Sequence, residues 1–347
     1  MPLYCMLMLT DHCNFDCNFC AFKRKQSDKV NLTYDEWLRV IDELYDLGIV
    51  YICLTGGEIT VLPWFEDIYR YLIKKGFYVA LKTNASHITE SIRNLLQLHP
   101  PYRTLITLYG ASDATYEAVT GCMGVYQHVL AGIDFFKSLK TKLKVGITVS
   151  KDNLLDVPRI VAAMQERGIQ TVLATDIFGR PDGLKTRYKE IRLTPGQRVS
   201  LFFNKNSDDF SDVLMEGKKL DALLKNWKPH EKIPFDENED RIGLCVDSAC
   251  AFTVMADGKV QYCTNYAIDH DIHVSHGVAS AWEELKACRK KYFQISEYCH
   301  KCEDRKYCSG SCPAMFYIEN GASTIPDEYI CQFAYLMKVR SQRERRT

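Results

Sequence analysis

The chain has 347 residues, 44 Lys+Arg balanced by 44 Asp+Glu, 46% hydrophobic and 25% charged residues. The length allows one large domain or two to three ordinary ones, and the composition is that of a globular protein, which excludes disordered, collagenous and coiled-coil architectures. Zero net charge argues against a nucleic-acid binder, and no apolar run approaches the ~20 residues that cross a bilayer, so neither nucleic acid nor membrane is an expected partner.

In the first half, short β-rich runs alternate with amphipathic ones. Residues 4–9 read as a strand, and a cysteine-bearing loop follows. Thr33 and Glu36 form a capping box for a helix running to about residue 46, ended by Gly48. Further strands are predicted at 50–55, 78–83, 103–108, 144–150 and 171–176, with helices at 64–75, 90–98, 126–139 and 157–167. Strands separated by helices imply a parallel sheet with right-handed crossovers. Six units are too few for the closed eight-unit barrel. The expected core is therefore an α/β partial (β/α)6 TIM-like barrel over residues 1–177, with its chemistry at the C-terminal strand ends.

Residues 178–240 break the alternation and read as a bridging region, with a helix start at Thr194–Pro195. Residues 241–335 are cysteine-rich, with a turn signal in the ADGK at 256–259. The basic residues of 336–347 read as a solvated helix end.

Cysteine is the anomaly: there are fifteen, an odd number, in a chain too large to need a disulfide scaffold. The N-terminus, MPLYCMLMLTDHC, has no basic region ahead of its short apolar run and so is no signal peptide. A cytoplasmic protein that binds metal through thiols is the expectation. Cys13-x3-Cys17-x2-Cys20 follows the first strand, and three thiolates within eight residues can wrap one metal centre while leaving a coordination position open. The next strand ends in Gly56-Gly57-Glu58, where a glycine pair lets the backbone approach a ligand and a carboxylate follows. Eight more cysteines run Cys245-x4-Cys250-x12-Cys263, then Cys299-x2-Cys302-x5-Cys308-x3-Cys312, then x18 to Cys331. They make two four-ligand sites, and spacing alone does not separate zinc from iron–sulfur.

The CxxxCxxC loop with Phe19 before its last cysteine, together with the GGE strand end, resembles the radical S-adenosylmethionine (radical SAM) enzymes. The downstream C…Gx4C…Cx2Cx5Cx3C…C series, with Gly258 ahead of Cys263, resembles the SPASM extension of that superfamily. The resemblance implies three 4Fe–4S clusters and S-adenosylmethionine as cofactors. Cys13, Cys17 and Cys20 would hold the cluster that binds S-adenosylmethionine. Gly56, Gly57 and Glu58 would meet its methionyl end, with Glu58 on the ammonium, and Phe19 would lie near the adenine. Thr83-Asn84-Ala85 matches the family's TNG-like end of strand three, with Ala85 departing from Gly. Thr107 and Ser150 are positional candidates for ribose or carboxylate contacts. Cys245, Cys250, Cys263 and Cys312 would hold one auxiliary cluster, and Cys299, Cys302, Cys308 and Cys331 the other. Without Cys250, which the usual spacing does not require, the first of these would carry an open iron.

Four cysteines remain. Cys288 reads as a small buried apolar residue, as do Cys5, Cys53 and Cys122, although the last three are also candidate hydrogen-atom donors of the kind radical peptide epimerases use. His12, His270, His273 and His276 read as loop residues.

Leu108-Tyr109-Gly110-Ala111-Ser112, and Arg180-Pro181-Asp182-Gly183 leading to Arg192-Leu193-Thr194-Pro195, resemble the peptide-maturing branch. Thr264 stands where the sulfatase-maturing branch carries an Asp. The implied function is hydrogen abstraction from a residue of a ribosomally made precursor peptide, leading to a crosslink, an epimerisation or a backbone rearrangement. Only 12 residues precede Cys13, so a separate leader-recognition protein is an expected partner, as is an electron donor such as flavodoxin or ferredoxin. The alternatives are a radical dehydrogenase of a small hydroxylated substrate or a protein side chain, and a metal-stapled binding module without turnover.

Overall fold

Strands β1 (Tyr4–Met8), β2 (Tyr51–Thr55), β3 (Tyr78–Thr83), β4 (Arg103–Thr107), β5 (Lys142–Thr148) and β6 (Gln170–Ala174) pair in parallel and in chain order. The computed structural model describes residues 1–22, 31–180, 187–207, 209–234, 250–265, 271–308 and 312–344. Helices α1 (Tyr34–Asp46), α2 (Phe65–Lys75), α3 (Glu90–Leu98), α4 (Asp113–Thr120), α5 (Tyr126–Ser138) and α6 (Val157–Glu166) make the crossovers. The capping box read from the sequence is present: Glu36 N donates to Thr33 Oγ1 at 3.3 Å, and Thr33 N donates to Glu36 Oε2 at 2.8 Å. From that start, Trp37, Val40, Ile41 and Leu44 fall on one helical stripe and are buried.

Alternation along the strands separates two environments. Cys5, Leu7, Ile52, Leu54, Val79 and Leu81 are buried in the main apolar core. The intervening Lys82, Leu105, Thr107 and Thr148 face the barrel interior, where they line a cavity. The sheet stays open, with β6 at one edge. The other edge is what the sequence did not reveal: β7 (Ala251–Val254), from the cysteine-rich part, pairs in parallel with β1, matching Tyr4 to Ala251 and Leu7 to Val254. β8 (Val260–Gln261) turns back antiparallel to β7. The cysteine-rich part thus continues the barrel sheet. Helix α4 was also missed, because its eight residues have a short, weak apolar pattern and the element rests on burying Tyr116 and Val119.

The bridging region supplies α7 (Tyr188–Ile191), α8 (Pro195–Asn204) and α9 (Ser211–Asp221). Thr194 caps α8 as expected, in a capping box with Gln197. Beyond β8 come α10 (Val278–Tyr292), α11 (Pro313–Asn320) and α12 (Glu328–Glu344). Phe333, Leu336 and Met337 of α12 share a core with Val199 of α8 and Leu220 of α9. Helix α12 runs through the boundary the sequence suggested at residues 335/336. Its cations are anchored, not merely solvated: Lys338 Nζ donates to Asp304 Oδ1 at 2.8 Å and Arg340 Nε to Glu216 Oε1 at 2.7 Å. No helix among the described residues is long and apolar enough to cross a membrane. Pro181, Asp182, Gly183, Cys245 and His270 lie outside the described residues.

Glu319 on α11 joins the bridging region to the C-terminal part. Its buried carboxylate receives Tyr188 Oη at 2.8 Å, Lys189 Nζ at 2.8 Å and Arg192 Nη1 at 3.0 Å. Burial alone would raise its pKa, but Lys189, Tyr188 and Arg192 together hold it below the usual glutamate range. Removing the carboxylate strands the Arg192 guanidinium, so Glu319→Ala costs ~3 kcal/mol in urea unfolding. A lowered folded pKa means this contribution is complete above the unfolded value of about 4.3 and is lost as pH falls through the folded one. The stability difference between wild type and variant therefore closes in acid.

Candidate active site

The loop after β1 is clamped from two sides. On the β2 side, Gly57 N donates to Thr10 O at 2.7 Å and Glu58 N to His12 O at 2.9 Å. On the α4 side, Asp16 N donates to Thr120 O at 2.8 Å and Asn18 N to Val119 O at 3.0 Å. Phe15 is buried edge-on against Tyr109 and Tyr116 and anchors the loop from below. Cys13, Cys17 and Cys20 are thereby turned into one wall of a cavity of about 890 Å³.

The Gly pair has a different primary purpose from the one read in sequence. A Cβ on Gly57 would lie 2.0 Å from His12 O, and one on Gly56, whose φ is +151°, would lie 2.4 Å from Thr10 O. The glycines let the end of β2 press against the backbone of the cysteine loop, and both also line the cavity.

Glu58 is the main correction. It was expected to meet a ligand ammonium, but it is 1% exposed and lies behind the cavity wall. Oε1 accepts from Thr60 N (3.0 Å), Thr60 Oγ1 (2.8 Å) and Thr83 Oγ1 (2.7 Å), and Oε2 accepts from Asn84 N at 2.6 Å. The carboxylate ties the end of β2 to the end of β3 and so fixes Asn84. Asn84 Nδ2 in turn donates to Asn14 Oδ1 at 2.9 Å, within the cysteine loop. Glu58→Gln puts an NH₂ against donors that need an acceptor. It lowers stability by about 1–3 kcal/mol, measured by thermal unfolding, and a midpoint equal to wild type would refute this role.

Ala85 adopts a left-handed φ of +58° at the position where the TNG-like pattern has Gly. The departure from Gly retains the conformation and costs about 1 kcal/mol of backbone strain. Phe19, Gly56, Gly57, Thr83, Asn84 and Thr107 all line the cavity. Ser150 does not: it is fully buried, and its N and Oγ are both bonded to Asn153 Oδ1. Cys5 and Cys53 are buried within β1 and β2 and are not part of the cavity wall, so neither faces a substrate there. Cys122 lies outside the wall too, with its thiol against Asn14 O at 3.4 Å. His273 holds a turn, with Nε2 against Asp257 O at 2.7 Å.

Sequence reasoning did not single out Lys82, Thr148, Asp176 or Met315, which complete the cavity with Tyr109. The available signal was the polar residue at inward positions of otherwise apolar strands, as in YVALKT. Asp176 follows β6, and its Oδ1 is held at 2.5 Å by Arg198, a buried guanidinium stacked on Phe333.

The three thiols line one cavity, as ligands of a shared iron–sulfur cluster must, while no group of three or more His, Cys, Asp or Glu among the described residues is arranged to hold a single metal ion. Burial, partly offset by the Phe15 N–H, pushes Cys13 up to about 11, and burial with the neighbouring Cys20 and Cys13 raises Cys17 further. Three thiolates in such a place need a cationic centre to hold them ionised. Hydrogen-bond donors are already aimed at one of the sulfurs: Phe15 N lies 3.3 Å from Cys13 Sγ and Asn84 Nδ2 4.0 Å from it.

In the C-terminal part, burial first, and then the charges of Cys299, Cys308 and Cys302, push the Cys331 thiol up. Cys312 lines the main cavity, Cys263 packs against the main core, and the Cys250 side chain is exposed. Cys245, the remaining expected ligand, is outside the described residues.

The chain is similar to an AdoMet-dependent heme synthase of Methanosarcina barkeri (strain Fusaro / DSM 804), 24% identical over 328 residues that cover 90% of this chain and 91% of that protein. It is also similar to the antilisterial bacteriocin subtilosin biosynthesis protein AlbA of Bacillus subtilis (strain 168), 24% identical over 68% of this chain and about half of that protein, 54%. Among solved structures, native anSMEcpe with bound AdoMet and Cp18Cys peptide superposes with a TM-score of 0.69 at 17% identity, covering 99% of this chain and 98% of that one. That likeness establishes a shared fold through the cysteine-rich part. Residues 7–174, from β1 through the cysteine loop to the end of β6, match the Radical SAM superfamily. The chain carries a Radical SAM domain over these residues.

Proposed function

We propose that this enzyme abstracts a hydrogen atom from a residue of a ribosomally synthesised precursor peptide and so installs a crosslink, an epimerised centre or a rearranged backbone. The observation that carries the reading is the composition of the cavity wall. The radical-cluster thiols Cys13, Cys17 and Cys20 face Cys312 and Met315 of the cysteine-rich part across one space. A substrate residue there is within reach of both an initiating and an electron-accepting centre.

A 4Fe–4S cluster with S-adenosylmethionine supplies one-electron cleavage of the sulfonium and a hydrogen-abstracting 5′-deoxyadenosyl radical. Gly56 and Gly57 form the wall where the methionyl end would lie. Phe19, tilted on Tyr109 with centroids 5.7 Å apart, offers a flat apolar face to the adenine. Cys263, Cys312, Cys250 and Cys245 would hold one auxiliary cluster, and Cys299, Cys302, Cys308 and Cys331 the other. At about 890 Å³ the cavity has room for the cofactor and a single substrate side chain. A leader-recognition protein and a flavodoxin or ferredoxin electron donor complete the reading. The biosynthetic role named for AlbA, and the peptide bound by anSMEcpe, support it.

The heme synthase matches over nearly its whole length, which favours a second reading in which the substrate is a small molecule. One set of incubations separates the two. Anaerobically reconstituted enzyme, reductant and S-adenosylmethionine are mixed in turn with candidate precursor peptides and with small hydroxylated compounds. The peptide reading requires substrate-dependent 5′-deoxyadenosine and a change in peptide mass. An unchanged peptide, with 5′-deoxyadenosine raised instead by small hydroxylated compounds, supports the second.

A further inference from the structure

A smaller cavity of about 400 Å³ opens on the surface of the C-terminal part, lined by Trp227, His230, Tyr298, Cys302, Asp304 and Lys338 among others. His230 comes from the bridging region and meets the thiol group there. Its Nε2 lies 3.4 Å from Cys302 Sγ and 3.8 Å from Asp304 Oδ2. The Asp304 carboxylate is buried and held by Lys338 Nζ at 2.8 Å. Both groups facing Nε2 are acceptors once Cys302 is a thiolate. That environment calls for an N–H on Nε2, a hydrogen position assigned from its neighbours.

The segment carrying His230 is fixed independently. Ile233 N donates to Glu297 O at 3.1 Å, and Lys232 Nζ pairs with Glu297 Oε2 at 2.6 Å. Removing the imidazole therefore leaves the segment in place.

We propose that His230 is a positioning residue that donates a hydrogen bond from Nε2 to the Cys302 thiolate and raises the reduction potential of the auxiliary cluster held by Cys299, Cys302, Cys308 and Cys331. The proposal rests on the reading of these four thiols as one cluster. A donor at a ligand sulfur withdraws charge from the cluster, so the added electron is better accommodated; hydrogen bonds to sulfur are one of the protein's levers on such potentials. The surface cavity brings this ligand toward solvent.

The test uses the full chain with Cys13, Cys17 and Cys20 replaced by Ala, so that only auxiliary clusters report. It is reconstituted anaerobically and titrated with dithionite, which supplies one electron per cluster, while electron paramagnetic resonance follows each signal. In His230→Ala, one of the two auxiliary midpoint potentials falls while the other and the iron content stay unchanged. His230→Gln, which keeps an N–H, recovers part of the shift. Unchanged potentials in His230→Ala overturn the proposal, and so does loss of iron from that variant, which would make His230 a residue that retains the cluster. If the parent itself holds no iron at these thiols, the cluster reading fails and the proposal with it.

Discussion

Replacing Cys13, Cys17 and Cys20 together by Ala reduces 5′-deoxyadenosine formation from S-adenosylmethionine to background, while about eight iron per chain remain after reconstitution. The first half of the result follows from the loop. Its three sulfurs share one wall of the cavity, with Phe15 N and Asn84 Nδ2 aimed at that of Cys13. Burial drives the Cys13 and Cys17 thiols upward, so they ionise only when a cationic centre binds them, and without the three sulfurs the loop has nothing to hold that centre. The second half follows from distance in the fold. Cys299, Cys302, Cys308 and Cys331, proposed above to hold a separate cluster, lie in the C-terminal part, and none lines the main cavity. Retained turnover in the triple variant would overturn the assignment of the radical site.

Gly57→Ala is the single substitution with the largest expected effect outside the cysteines. The added carbon would sit 2.0 Å from His12 O, 2.4 Å from His12 C and 2.9 Å from Cys13 N. All three are backbone atoms, so no side chain can swing aside. The loop itself must move, and it carries Cys13. The hydrogen bonds from Gly57 N to Thr10 O and from Glu58 N to His12 O stretch with it. Overpacking of this kind costs about 1–3 kcal/mol of stability. A displacement of about 1 Å at a reacting site costs ~10²-fold in rate. The variant therefore folds with a lowered melting temperature, loads the radical cluster poorly and makes 5′-deoxyadenosine ~10²-fold more slowly. Turnover within about threefold of wild type would contradict this reading of the glycine pair.

Much of the barrel was legible because its signals are local. Thr33 and Glu36 mark a helix start, and Trp37, Val40, Ile41 and Leu44 mark its buried face, all within one run of sequence. The strand boundaries fall within two residues of expectation for the same reason: each apolar run is bounded by its own turn. The pairing of β7 with β1 was not legible, because a four-residue strand carries no mark of its distant partner.

The site divides along the same line. The cysteine spacing and the GGE triplet sit in short segments and could be read. Glu58 shows what such reading misses. Its carboxylate faces inward to Thr60, Thr83 and Asn84, and only the geometry of two adjacent strand ends reveals that. Ser150 was chosen by position near a strand end, but β5 stops at Thr148, and it is Thr148 that reaches the cavity. His230 carried no spacing signal at all, since its partner Cys302 is remote in sequence.

Iron and acid-labile sulfide per chain after anaerobic reconstitution test most directly the proposal that eleven cysteines organise three clusters in one enzyme. About twelve of each, from three four-iron clusters, is the expected result. A value of about four, with zinc bound to the C-terminal thiols, would contradict it, leaving a radical centre with no auxiliary cluster to accept an electron.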